Sequence, residues 1–310
     1  MLRKIYKPEG FSSQNGTDGL YTESALERAI TKGQILEARA TVCDEDMSLW
    51  VDLGCMRGII KKEEAVFCPD GSPVKDIAAI TRVGKTVCFK VCGFEKRKGE
   101  TVALLSRKEA QRDCLENYLM LLTPGEIIDS RVTHLEPFGA FVDVGCGIIS
   151  LLSIDCISVS RISHPRDRFY PGMFIKTAVK NTDKELMRIS VTHKELLGTW
   201  EENVSAFRIG QTVPGIVRSI EPYGVFIELT PNLAGLSEYT ENVRIGDHAT
   251  VYIKNIIPEK MKIKLVLIDT YQCESELYPP EYYIKSDFIE SWTYSPESCP
   301  KLIKTDFRRD

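Results

Sequence analysis

Two phenylalanines in the stretch EPFGAFVDVG, Phe138 and Phe141, carry the clearest chemical signal in the sequence. Alternation along a strand places Ala140 and Val142 in a core and sends Phe141 outward. A turn or bulge at Gly139 brings the Phe138 ring to the same face. Two outward rings form a platform on which unstacked bases can stack, at about 1–3 kcal/mol per base and with little dependence on base sequence.

The same aromatic position occurs in three segments, LWVDLG (49–54), AFVDVG (140–145) and VFIELT (225–230). Trp50 and Phe226 are therefore equivalent to Phe141, and Tyr223 in the third segment is equivalent to Phe138. In each strand an acidic residue two positions after the ring lies on the same face as the ring. These acids are Asp52, Asp143 and Glu228. The alternative is that these rings cover a barrel end or a contact between domains.

The rings belong to three similar units, and each unit reads as about five short strands in roughly 60–80 residues. The predicted fold is mainly β, with three tandem five-stranded antiparallel barrels of the oligonucleotide-binding (OB) type, short helical linkers and an irregular C-terminal tail. The expected divisions are an N-terminal segment with a short helix (1–30), barrel one (31–109), a helical linker (110–121), barrel two (122–198), a linker (199–208), barrel three (209–268) and the tail (269–310).

Three connecting or terminal segments have their own signals. The first linker has apolar residues at helical spacing, namely Ala110, Cys114, Tyr118 and Leu122. The residues before the N-terminal helix are rich in Gly, Ser and Asn, and we expect them to be mobile. The tail is dense in aromatic residues and proline, and we expect it to pack over barrel three.

Composition narrows the function classes. The chain is 43% hydrophobic and 27% charged, which is typical of a globular protein. No signal-peptide pattern and no run of about eighteen apolar residues is present, so we expect a cytoplasmic protein without a membrane partner. Ten cysteines without metal-ligand spacing predict free thiols and no metal site. No phosphate-binding loop, nucleophile elbow or dinucleotide fingerprint occurs, so we predict neither catalytic residues nor a cofactor.

Cationic residues must act locally, because the net charge is −4. The second unit has the densest set in the repeats: Arg161, Arg166, Arg168, Lys176, Lys180 and Arg188. If these residues bind phosphates, affinity falls steeply with salt, because each neutralised phosphate releases a counterion. Each arginine taken singly is about as well explained by solvation as by a contact.

The second unit resembles the RNA-binding domain of bacterial ribosomal protein S1. The resemblance rests on Phe-Gly-x-Phe-Val, on His-Pro before the fourth strand and on the closing Asp-Lys-x(3)-Arg-Ile-Ser. It implies an OB-type barrel whose RNA face contains Phe138, Phe141, Asp183 and Arg188. In that face Arg188 contacts a phosphate or a base edge, and Asp183 orients the arginine or accepts a hydrogen bond from a base or a 2′-hydroxyl.

The other units depart from the family pattern. Unit one has Met47 where the first aromatic would stand, and its GIIKKEEA (58–65) is similar to leading repeats that dock to the ribosome or to proteins. Unit three is short, with Ile257 near the expected aspartate and Lys262 near the expected arginine. It looks partly degenerate.

These patterns predict a non-catalytic protein that binds single-stranded RNA, messenger or ribosomal, in translation or mRNA handling. Unit two is the principal site, and the small ribosomal subunit or an RNA-processing complex is a candidate partner. The alternative is an accessory subunit that delivers RNA to such a complex or docks to protein. Loss of a salt-dependent RNA affinity on Phe141→Ala separates an RNA binder from a docking module.

Overall fold

The computed structural model describes residues 4–12, 19–97, 99–273, 277, 279–284 and 286–308, and their strands form three five-stranded units and one two-stranded sheet. The mainly β fold with OB-type five-stranded units is therefore confirmed. In the described ranges, no helix has the length and apolar character needed to cross a membrane.

Barrel one is a closed sheet in the order β1-β2-β3-β5-β4. Its strands are β1 (Ile35–Cys43), β2 (Leu49–Asp52), β3 (Arg57–Ile60), β4 (Thr86–Arg97) and β5 (Glu100–Ser106), and its helices are α1 (Glu23–Lys32) and α2 (Ile77–Ile80). The pair β3 and β5 runs parallel and closes the barrel, whereas its other pairs are antiparallel. Helix α1 ends at Gly33, whose φ of 57° is a left-handed conformation that glycine adopts readily.

Helix α3 (Arg107–Asn117) follows barrel one directly. The apolar stripe predicted from its spacing, Ala110, Cys114, Tyr118 and Leu122, is buried and belongs to the core of barrel two. The helix therefore attaches the first two barrels to each other.

Barrel two has the strand order β10-β9-β6-β7-β8. Its strands are β6 (Ile127–Glu136), β7 (Gly139–Asp143), β8 (Ile149–Ser153), β9 (Phe174–Asp183) and β10 (Arg188–Thr192). The two edge strands meet where the Ser150 hydroxyl donates to the Ile189 carbonyl at 2.7 Å. This contact places the outer residues of β8 beside those of β10.

Barrel three is again closed, in the order β11-β12-β13-β15-β14, and helix α4 (Trp200–Val204) precedes it. Its strands are β11 (Thr212–Glu221), β12 (Gly224–Thr230), β13 (Leu233–Ser237), β14 (His248–Ile257) and β15 (Lys262–Tyr271). The shortening seen in the sequence lies between β13 and β14, at 238–247, and removes no strand.

The C-terminal tail packs against barrel three, as its aromatic content predicted, and it also reaches barrel two. It contains a two-stranded sheet that the sequence did not predict, β16 (Ser291–Thr293) and β17 (Lys304–Asp306). Trp292 and Tyr294 are buried in the core of barrel three. On the barrel-two side, the Ile127 N–H donates to the Asp287 carbonyl at 2.9 Å.

The described start of the N-terminal segment packs against the barrels. Residues 1–3 and 13–18 lie outside the described residues, but Tyr6 and Glu9 are buried between barrels one and two. Glu9 accepts two hydrogen bonds from Arg107, at 2.7 and 3.1 Å. The mobility predicted for the stretch rich in Gly, Ser and Asn concerns mainly residues 13–18, which lie outside the described residues.

Candidate nucleic-acid interface

The aromatic pair of barrel two is assembled by the turn between β6 and β7. The rings of Phe138 and Phe141 meet edge to face, with centroids 6.1 Å apart and planes at 87°. Phe138 is 55% exposed. Gly139 between them allows a close approach to β8, because a Cβ there would lie 2.5 Å from the Leu152 carbonyl oxygen. The rings share the outer face, as the alternation indicated.

His134 extends this aromatic surface, and the sequence analysis missed it. A bulge in β6 pairs His134 with Phe141 across the strands. The two rings are stacked, with centroids 6.2 Å apart and planes at 28°. The imidazole Nε2 also lies 2.7 Å from a Glu136 carboxylate oxygen. Knowing which β6 residue pairs with Phe141 would have identified His134, but the bulge shifts the pairing of the two strands by one residue.

Apolar and cationic side chains continue the face across β8 and β10. Leu151 lies opposite Phe141 in the ladder and is 41% exposed. Arg188 opens β10, is exposed, and forms no side-chain hydrogen bond or ion pair with any described residue, although its charge helps to lower the pKa of Asp70 in barrel one. We call the surface formed by Phe138, Phe141, His134, Leu151 and Arg188 the barrel-two face.

Asp183 has a different contact from the one that the family resemblance implied. It lies opposite Arg188 in the β9–β10 ladder, but no ion pair joins them among the described residues. Its Oδ1 instead accepts from the backbone N–H groups of Glu185 and Leu186, at 3.0 and 2.9 Å. Asp183 therefore shapes the turn that leads into Arg188.

The remaining predicted cations of barrel two are spread around it. Arg161 and Arg166 are exposed in the loop before β9. Lys180 is exposed on β9, with its Nζ 3.7 Å from the Cys156 sulfur. Lys176 lies 3.4 Å from a carboxylate oxygen of Asp129, which partly neutralises it. The structure does not gather these residues with Arg188 into a single cluster.

The prediction that Arg168 contacts RNA is wrong. Arg168 is buried, and its guanidinium is paired with Glu228 of barrel three. Arg218 joins the same carboxylate at 2.9 and 3.2 Å and lies 3.5 Å from Asp167. This ion-pair network fills the contact between barrels two and three, so Arg168 is not on the surface.

Two of the acids predicted to share the open aromatic face are buried instead. Glu228 lies in the network with Arg168, and Asp143 is covered by the N-terminal segment. Asp143 accepts hydrogen bonds from the backbone N–H groups of Glu9, Gly145 and Gly147, at 2.8 to 3.0 Å. Burial and the charge of Glu9 raise the pKa of Asp143, while the backbone donors act in the opposite direction. The alternation gave the correct phase, but neighbouring segments cover both positions.

Barrel three repeats the aromatic geometry of barrel two. The centroids of Tyr223 and Phe226 are 6.1 Å apart with planes at 89°, and Tyr223 is 68% exposed. Leu236 lies opposite Phe226, and Lys264 of β15 pairs with Leu236. The third unit therefore keeps a platform and a nearby cation despite its shorter sequence.

Trp50 of barrel one does not present a free ring. The Arg57 guanidinium lies over it, 4.1 Å from the ring centroid, and the indole N–H donates to Asp44 at 2.8 Å. These contacts occupy one face and the polar edge of the ring. The chain itself therefore satisfies the groups that a base would use at this position.

Comparisons with known proteins agree with these features. Residues 121–194 match the S1 RNA binding domain family. The small ribosomal subunit protein bS1 homolog of Bacillus subtilis is 28% identical over 74% of this chain and 58% of its own length. The protein bS1 of Rhizobium meliloti is 28% identical over 66% of this chain and 38% of its own length. The chain thus spans less than two thirds of the length of these two relatives.

A solved multidomain protein with nucleic acid binding domains from Streptococcus pneumoniae is 17% identical over 76% of this chain and 73% of its own, with a TM-score of 0.25. Residues 121–194 thus match the S1 RNA binding domain, and the chain is similar to ribosomal protein bS1 over most of its length, which confirms the family resemblance seen in its repeats.

Proposed function

We propose that this protein binds single-stranded RNA, principally on the barrel-two face. One observation carries the proposal: the exposed ring of Phe138 meets the half-buried ring of Phe141 edge to face on the outer surface of barrel two, within the residues that match the S1 RNA binding domain. Arg188 is exposed at the start of β10, the strand that contacts β8 next to this pair. Rings stack on bases of any sequence, and a free guanidinium binds phosphate, so the two elements together suit an RNA strand.

The chemistry of the face explains how an acidic protein can bind a polyanion. The contact is local, because the bases stack on Phe138 and Phe141 while Arg188 neutralises a phosphate. Arg161, Arg166 and Lys180 add a diffuse attraction around the same barrel. The pair Tyr223 and Phe226 forms a second site. Because both sites are on one chain, binding at the first raises the effective concentration of the strand at the second and so increases the overall affinity.

The biological role follows from the relatives, which are named as small ribosomal subunit proteins. We infer that this protein is cytoplasmic and non-catalytic and that it acts in translation or mRNA handling, with messenger or ribosomal RNA as ligand and the small ribosomal subunit as partner. A second candidate is an accessory subunit that delivers RNA to a processing complex or docks to protein. The intramolecular contacts of Trp50 favour a protein-docking role for barrel one.

Titration of a fluorescent single-stranded RNA of about a dozen nucleotides tests the proposal, since that length covers one or two OB-type sites. The proteins compared are the wild type, Phe138→Ala/Phe141→Ala and the control Tyr239→Ala, which removes an exposed ring outside both pairs. We expect the double variant to lose at least about thirtyfold in affinity, because two stacked bases at roughly 1–3 kcal/mol each contribute at least about 2 kcal/mol. The control should bind like the wild type.

Equal binding by all three folded proteins would contradict the proposal. Absence of binding by the wild type would favour the docking alternative.

A further inference from the structure

A cleft of about 540 Å³ lies between barrels one and two, next to the barrel-two face. Its walls include Arg82 and Lys85 from the segment before β4, Arg131 and His134 from β6, and Phe141 from β7. Its volume is within the usual range of small-molecule sites, about 300–1,000 Å³. The cleft therefore joins an aromatic surface to three cations from two barrels.

The cations of the cleft have unused hydrogen-bonding capacity. Lys85 is exposed, and its ammonium has no hydrogen-bond or ion-pair partner in the described parts of the chain. The Nε of Arg82 is buried without an acceptor. Arg131 donates through Nη1 to the Glu9 carbonyl at 2.9 Å and through Nε to the Gly172 carbonyl at 3.3 Å, which leaves its Nη2 unengaged among the described residues.

The acids of the cleft do not neutralise these cations fully. Both oxygens of Glu9 accept from Arg107, and Arg82 is farther from Glu9, at 3.5 Å. Asp143 is occupied by backbone donors. Burial is the main cause that lowers the pKa of Lys85; the charges of Arg82 and Arg131 lower it further, whereas Glu9 acts in the opposite direction. The two neighbouring arginines surround Lys85 with positive charge that an anion would relieve.

We propose that this cleft binds a nucleoside phosphate, with the base against Phe141 and His134 and the phosphate held by Arg82, Lys85 and Arg131. The inference rests in part on the proposed RNA binding, because one source of the ligand is the RNA strand itself. The phosphate would then be an internal or a 5′-terminal group of the strand. The other source is a free nucleotide.

The test uses the full chain, with Lys85→Ala as the pocket variant and Lys96→Ala as its matched control. Lys85 makes no side-chain hydrogen bond or ion pair within the described ranges, and Lys96 is an exposed lysine of the same barrel outside the cleft. Phe138→Ala reports on the barrel-two face separately, because Phe138 does not line the cleft. The probes are one RNA dodecamer with a 5′-phosphate, the same RNA with a 5′-hydroxyl, adenosine monophosphate and adenosine.

We expect Lys85→Ala to weaken the phosphate-bearing ligand about tenfold, and Lys96→Ala to leave it unchanged. Adenosine should bind no better to the wild type than to the variant. If Lys85→Ala lowers the affinity for both RNAs equally, the cleft binds an internal phosphate of the strand. If it lowers only the affinity for the 5′-phosphorylated RNA, the cleft binds the terminal phosphate. If it lowers the affinity for adenosine monophosphate, the cleft binds a free nucleotide. For each RNA that Lys85→Ala weakens, the magnitude of the slope of log affinity against log salt should also fall by roughly 0.7.

The proposal is overturned if Lys85→Ala matches Lys96→Ala with every probe. If Phe138→Ala still weakens RNA binding in that case, the proposed RNA function stands without the cleft. If the protein binds adenosine monophosphate through Lys85 but binds no RNA, the proposed nucleotide site in the cleft stands and the proposed RNA function is rejected.

Discussion

Phe138 and Phe141 meet edge to face at 6.1 Å, and the equivalent residues of barrel three, Tyr223 and Phe226, repeat this distance and angle. The repetition arises from the same local sequence, in which an aromatic residue precedes a glycine at the start of the second strand of the barrel. Two barrels of one chain therefore present the same aromatic platform.

The platform of barrel three should matter more for long RNA than for short RNA. We expect Tyr223→Ala/Phe226→Ala to weaken a strand of about thirty nucleotides by roughly tenfold and a dodecamer by less than threefold, because only the long strand engages both sites at once. Fluorescence anisotropy with both lengths measures this. Equal effects on the two lengths would show that the barrels bind independently.

Two arginines of one loop should behave differently. Arg166 is exposed, so Arg166→Ala should lower RNA affinity and reduce the magnitude of the salt slope by up to about 0.7, the value for one phosphate on a single strand. Arg168 is buried with Glu228, so Arg168→Ala should keep the RNA affinity and lower the free energy of unfolding by about 1–3 kcal/mol. If Arg168→Ala instead changed the salt dependence of RNA affinity and Arg166→Ala did not, Arg168 could not be buried in an ion-pair network.

The buried ion pair of Glu9 and Arg107 should contribute strongly to the attachment of the N-terminal segment. Arg107→Met leaves the Glu9 carboxylate buried without its main partner, which we expect to cost about 3–5 kcal/mol in urea unfolding. Arg112→Met on the same helix breaks a more exposed pair with Glu109 and should cost less than about 1 kcal/mol. Similar costs for the two variants would contradict this difference in burial.

His193 should make stability depend on pH. Its Nδ1 donates to the Ile157 carbonyl at 2.8 Å, and its Nε2 accepts from the Tyr282 hydroxyl at 3.3 Å, so the folded site holds the neutral ring. Burial lowers the pKa of His193 to about 4, with a smaller effect from the nearby Arg168. Between about pH 4 and pH 6.5, the unfolded chain therefore binds a proton at His193 that the folded chain does not bind.

The contribution of neutral His193 to the free energy of unfolding is complete above about pH 6.5. It is lost as the pH falls toward 4, by up to roughly 3 kcal/mol. Urea unfolding at pH 7.5, 6 and 5 measures it. His193→Gln should be less stable at pH 7.5 and show a flatter dependence between pH 6.5 and 5. An unchanged dependence in that variant would assign the effect to other groups.

Local patterns predicted the features that local forces decide. The order of apolar and aromatic residues predicted the strands and the outward rings of Phe138 and Phe141, because the side-chain period of a strand is independent of the rest of the fold. Contacts between distant segments were not predictable in this way. Arg168 looked like a loop cation because its partner Glu228 is in another barrel, and the cover over Asp143 comes from the N-terminal segment.

His134 shows a second limit. Strand alternation alone does not place it against Phe141, because a bulge in β6 inserts one residue between paired positions. The tail shows a third, since its aromatic content predicted packing but not the β16–β17 pairing or the contact with barrel two. In each case, the missing information was the register or the position of a second segment.

The most direct test of RNA binding on the barrel-two face is photocrosslinking of the full chain to a single-stranded RNA that contains 4-thiouridine, with the attached residue located by mass spectrometry. If RNA binds on the barrel-two face, crosslinks should form at Phe138, Phe141 or His134 and should disappear in Phe138→Ala/Phe141→Ala and at high salt. Crosslinks confined to barrel one, or unchanged in the double variant, would contradict it.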